Sequence, residues 1–182
     1  MQISMYSASV PVFRQMLVSM AAILTKAEAH ATEKKIEPNA LLQARLFPDM
    51  FPLIRQVQIA TEFSRGVTAR LAGVEVPVAT NDETTFAELQ AHLAKALAFL
   101  DGFTAAQIDG QEDREIVLRP GTPKERKFTG HDYLVHYALP HHTDFEWIKA
   151  ANYIDINCLP LLILLLMIKL NFRKHDINEF SV

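Results

Sequence analysis

The chain has 182 residues, 49% of them apolar and 21% charged, with a net charge of -3. Those totals suit one globular domain over residues 1–182 with a substantial core, and they leave no concentrated basic face for nucleic acid. Cys158 is the lone cysteine, and no basic region followed by an apolar run opens the sequence, so a reducing cytoplasm is the expected compartment.

Val10, Phe13, Leu17, Met20, Leu24 and Ala27 recur at alternating steps of three and four. That spacing predicts an amphipathic helix over 8–32, capped by Ser7 or Ser9, with Pro11 in its first turn. Residues 36–46 form a connection with a helical turn after Pro38. A second helix over 51–71 follows from Phe51, Ile54 and Val57, extended by Phe63, Val67, Leu71 and Val74. Asp49 lies between Pro48 and Pro52, where a carboxylate accepts from the free amides of a helix start. Arg45, Asp49 and Arg55 are placed to line a cleft, but capping and ion pairing is their expected role. Gly73 ends this helix, and 74–82 is a loop.

Thr85 and Glu88 form a capping-box pattern for a third helix with Phe86, Leu89, Leu93, Leu97 and Leu100 inward. Residues 104–110 read as a turn. The period then changes: 115–119 and 125–128 flank Pro120-Gly121-Thr122-Pro123, a β-hairpin that must lean on the helices. A fourth helix starts near Asp132 with Tyr133, Leu134 and Tyr137 inward, and Pro140 either kinks it or divides it before Phe145, Ile148 and Tyr153. Residues 159–168, LPLLILLLMI, are half the length of about twenty residues that a membrane span needs. No membrane span is therefore expected, and this run is assigned to the core or to a subunit interface. With the basic residues after it, it makes 159–182 an atypical tail.

Several longer motifs carry a resemblance. LLQARLFPDMFPLIRQVQIATE, RLAGVEVP and TTFAELQAHLAKALAFL, with MYSASVPVF before them and FTGHDYLVHYALP after, resemble an uncharacterised bacterial family, domain of unknown function 1993, of the DinB-like superfamily. The resemblance covers roughly Ser4 to Pro140. It implies an all-α fold, a DinB-like four-helix bundle with a small β-hairpin before the last helix, often homodimeric and with no established activity. Better-known members of the superfamily are metal-dependent thiol transferases in which three histidines hold a divalent metal. One comes from the second helix and two from an HxxxH pair on the fourth. Here the second helix offers Gln56 and Gln58, poor ligands for zinc or nickel, and the fourth departs into His141-His142-Thr143-Asp144-Phe145-Glu146.

His142 and Glu146, four apart on one helical face, are the sharpest candidate metal pair, with His136, Asp132 or His141 as third ligand. A solvated helix surface explains the same residues and is the preferred reading. His30, His92 and His175 are isolated and read as surface residues, and no basic or histidine neighbour activates Cys158. The expectation is a non-catalytic or unassigned homodimeric bundle with no cofactor. One alternative is a zinc- or nickel-dependent transferase acting on a low-molecular-weight thiol through His142, Glu146 and His136. The other is a small-ligand binding protein.

Overall fold

A computed structural model describes residues 3–45, 48 and 51–143. Its frame is three helices: α1 (Met5–Lys34), α3 (Leu53–Ala72) and α4 (Phe86–Asp101), with the five-residue α2 (Pro38–Leu42) between the first two. α1 begins three residues earlier than its periodicity suggests. Ser4, rather than Ser7 or Ser9, is the cap, its Oγ accepting from Ser7 N–H at 3.2 Å. Pro11 therefore falls in the second turn, on an exposed side of the helix.

α3 starts after Pro52 with no side-chain cap, and Asp49 lies outside the described residues. Its C-terminus ends as expected on Gly73 at φ 69, a left-handed geometry that costs glycine little. Ile54, Val57, Val67 and Leu71 are buried, whereas Phe51 and Val74, placed on the same stripe by spacing, are exposed. Both lie beyond the helix ends, where helical phase no longer dictates direction.

α4 matches its sequence signature. Glu88 N–H donates to Thr85 Oγ1, while the Glu88 carboxylate accepts from the N–H groups of Thr84 and Thr85. The carboxyl is held below the usual carboxylate range, chiefly by the Thr84 N–H, then by the Thr84 hydroxyl and the Thr85 N–H. Residues 104–110 hold more structure than a turn. Thr104 and Gln107 form a second capping box for the short α5 (Ala105–Ile108), which drives Ile108 into the core.

The hairpin pairs β1 (Ile116–Leu118) with β2 (Arg126–Phe128) antiparallel, Ile116 opposite Phe128. Ile116 is buried, and Leu118 and Phe128 rest against the helical core, which supplies what two strands lack alone. Thr129 then caps α6 (Gly130–Asp132), which passes into a π-helical stretch (Tyr133–Ala138) and α7 (Leu139–Thr143). Pro140 does not break this helix. Proline cannot donate to the carbonyl four residues back and crowds it; the preceding wider turns, with Leu139 N–H reaching Leu134 C=O, shift the bonding by one residue.

The core runs along the bundle axis through Phe13, Leu17, Met20 and Leu24 of α1, Val57, Val67 and Leu71 of α3, and Leu89, Leu93 and Leu100 of α4. Tyr133 and Leu134 close its far end. The architecture is a helical bundle with one small hairpin before its last helix, as the sequence implies. The apolar run 159–168 lies outside the described residues.

Candidate functional site: a buried polar cluster between α3 and α4

One side of α3 is polar where an ordinary core helix is not. Thr61, Ser64 and Thr68 are buried and donate back to the carbonyls of Val57, Ala60 and Ser64, so they need nothing from elsewhere. Arg55, Gln58, Glu62 and Arg65 follow one another at three- and four-residue steps and share a neighbouring face.

The connection from α3 to α4 lies along that face. Val76 approaches Gly66, Asn81 donates through Nδ2 to Glu62 Oε1, and Glu83 accepts from Gln58 Nε2 at 2.9 Å. Rising numbers on the connection meet falling numbers on α3, so the segment runs antiparallel to the helix. Asn81 adopts φ 55, which asparagine tolerates better than most residues.

Glu83 also meets His92 of α4, Oε1 to Nδ1 at 2.5 Å, with side-chain exposures of 11% and 8%. The chain of contacts continues: Arg55 Nη1 donates to Gln58 Oε1 at 3.4 Å, and its Nη2 lies 3.9 Å from Glu62 Oε2. His92, Glu83, Gln58, Arg55, Glu62 and Asn81 are thus one connected network. His92 is a correction to the sequence reading, which put it on the surface. The signal was present, because position 92 is three after Leu89 and four before Ala96, both buried.

The carboxylates decide which atoms stay free. A carboxylate only accepts, so His92 must present its Nδ1–H to Glu83, leaving Nε2 as a bare lone pair in the neutral ring. By the same logic Asn81 turns its amide N–H to Glu62 and its Oδ1 away. Among the described residues, the buried side-chain polar atoms without a partner are His92 Nε2, Asn81 Oδ1, and Nε and Nη2 of Arg65. Each such atom costs about 1–3 kcal/mol of lost hydration. All four belong to α3, α4 or the segment between them.

The sequence-predicted metal ligands fare differently. His136 is exposed, its Nε2 3.8 Å from Asp132 Oδ1, and His131 Nδ1 is 3.4 Å from the same oxygen. His141 is also exposed; its Nδ1 donates to the Tyr137 carbonyl at 2.7 Å, and its ring stacks on Phe63. The side chain of His142, together with Glu146, Cys158 and His175, lies outside the described residues. Among the described residues no group of three histidine, cysteine or acidic side chains is placed to hold a metal ion. Nor do the α3 glutamines fit the role that the resemblance gives a histidine. Gln56 Nε2 is spent on the Phe51 carbonyl at 2.8 Å and Gln58 is bonded at both ends of its amide.

Comparison with known proteins places this architecture. Residues 5–143 match the family model described as domain of unknown function (DUF1993). No curated protein matches the chain. Among solved structures, the chain is similar to the crystal structure of a DinB family member protein from Shewanella denitrificans. The TM-score is 0.71 and the identity 36%, over 81% of this chain and 85% of that one. The chain belongs to this DinB-like family of unknown function.

Proposed function

We propose that this protein is a non-catalytic binding bundle that receives a small polar ligand at the cluster between α3 and α4. The observation that carries the reading is His92, buried and oriented by Glu83 with its second ring nitrogen unmatched. Core histidines ordinarily satisfy both nitrogens, and an oriented, desolvated acceptor is what a ligand hydroxyl or amine requires. Metal-dependent thiol transfer is the lesser reading, because both α3 glutamines are committed to neighbours.

A thermal-shift screen against small amino acids, hydroxy acids and polyols tests the reading. A ligand at one hundred times its Kd adds about 2.7 kcal/mol, a rise of roughly 5–11 °C for a chain of this size. No shift with any compound, together with near-stoichiometric zinc or nickel by elemental analysis, would move the assignment to the transferase.

The outer side of α1 favours homodimerisation as the way the bundle works. By length and composition α1 is apolar enough to cross a membrane, yet only 39% of its most apolar window is buried, and Val12 and Val18 face outward. Light scattering on the wild type and on Val18→Glu checks this: a dimer that the charge dissociates is the expected result.

A further inference from the structure

The four unmatched atoms have a cover in common. The segment 74–84 crosses α3 at Gly66, Glu62 and Gln58, and Arg65 sits on the helix between the first two of these crossings. His92 and Asn81 lie toward the other end, joined through Glu83 and Glu62. Outside its clasps the segment has little to hold it. It has no regular secondary structure, and it exposes Val74 at 43% and Val78 at 93%. Its grip on α3 rests on the two carboxylate clasps, Asn81 on Glu62 and Glu83 on Gln58 and His92.

We infer that 74–84 is a strap over an elongated slot whose ligand is a small ω-amino carboxylate, its carboxylate on Arg65 and its ammonium on His92 Nε2 and Asn81 Oδ1. This rests on the binding reading above and adds the ligand's chemistry. The polarity follows from the free atoms. Arg65 offers two unpaired donors, which call for an anion. His92 and Asn81 offer only acceptors and stand beside the carboxylates of Glu83 and Glu62, which call for a cationic donor. The length follows from the helix. Gln58, which anchors the His92 end, and Arg65 are seven residues apart, about 10 Å along the axis, so the ligand's charged ends must be several bonds apart. In the closed state the four atoms are buried without partners, so entry requires the strap to lift.

The test uses the full chain labelled with nitrogen-15 and three probes: 4-aminobutyrate, n-butylamine and butyrate. The expected result is that 4-aminobutyrate binds at least about tenfold more tightly than either one-ended probe. It should shift the Arg65 Nε and His92 Nε2 resonances together. Arg65→Gln should bring its affinity down to that of butylamine. Glu62→Ala, which opens one clasp and leaves the ligand-facing atoms in place, should speed backbone hydrogen exchange in 74–84 about tenfold without changing the helical circular dichroism. Butylamine or butyrate binding as tightly as 4-aminobutyrate would overturn the two-ended ligand while leaving the binding reading intact. Unchanged exchange in Glu62→Ala would overturn the strap. Failure of all three probes, beside a positive result in the thermal-shift screen, would overturn the ligand class alone.

Discussion

Replacing Glu83 with alanine removes the hub of the buried network, and the consequence can be worked out. The carboxylate accepts from Gln58 Nε2 at 2.9 Å and from His92 Nδ1 at 2.5 Å. Gln58 is 4% exposed, so its freed N–H cannot turn to water, and His92 is nearly as enclosed. Two stranded donors cost about 2–6 kcal/mol together, and relief of the buried charge returns part of it. A net loss of roughly 2–4 kcal/mol corresponds to a midpoint lowered by about 4–16 °C. Guanidinium titration followed by circular dichroism measures it. Glu83→Gln, which keeps one accepting oxygen, should lose less. A double-mutant cycle with Gln58→Ala should return a coupling of about 1 kcal/mol or more, as residues sharing one hydrogen bond do. If Glu83→Ala costs under about 0.5 kcal/mol, the level of an ordinary surface change, the network is not what holds 74–84 to α3 and α4.

Three further outcomes follow from other parts of the molecule. Gly130→Ala would set a Cβ 2.2 Å from the Gln111 carbonyl oxygen, beside the His131 N–H bond to Glu112; it should destabilise by about 1–3 kcal/mol in denaturant titration, against little change for Gly102→Ala. Burial raises the Tyr133 phenol pKa, with Arg70 opposing. A folded-state pKa above the unfolded one means that stability is present below the unfolded value and lost as pH rises through the folded one. Tyr133→Phe should therefore flatten the alkaline fall in stability seen by phenolate absorbance and circular dichroism. The Glu88 carboxyl is depressed, so its contribution is present above the unfolded pKa and lost as pH falls through the folded one; carbon-13 titration of Glu88 should end below free glutamate, and Thr84→Val should raise it by removing one donor.

The sequence carried the frame of this fold because the frame is local. α3 and α4 start and stop where proline, threonine and glycine leave backbone groups to be satisfied, and their inner faces follow the helical period. The π-helical stretch was not legible, since nothing in YLVHYA distinguishes a wide turn from a normal one; the choice depends on Pro140 beyond it and on Phe63 and Phe128 packing against Tyr137. The short α5 was missed because a four-residue helix shows no period, although its capping box was there to be read.

The candidate site was illegible for a different reason. Its partners are distant in sequence, Gln58 to Glu83 by 25 residues, and none belongs to a motif. Histidine ligand spacing drew attention to the end of the fourth helix, whereas the functional signal is a histidine that spacing alone would assign to the core. What separates His92 from a satisfied core histidine is one unmatched nitrogen, a property of the three-dimensional neighbourhood. The same holds for Arg65. On the sequence it is an arginine on the polar side of a helix; under the 74–84 segment it becomes a guanidinium with two desolvated donors. Both residues carry an energetic cost in the closed state, and a strap that covers such groups without pairing them is easier to lift than one that pairs them. The unmatched atoms therefore lower the cost of opening and supply contacts once something enters, which is why they, rather than the exposed histidines of the last helix, identify the site.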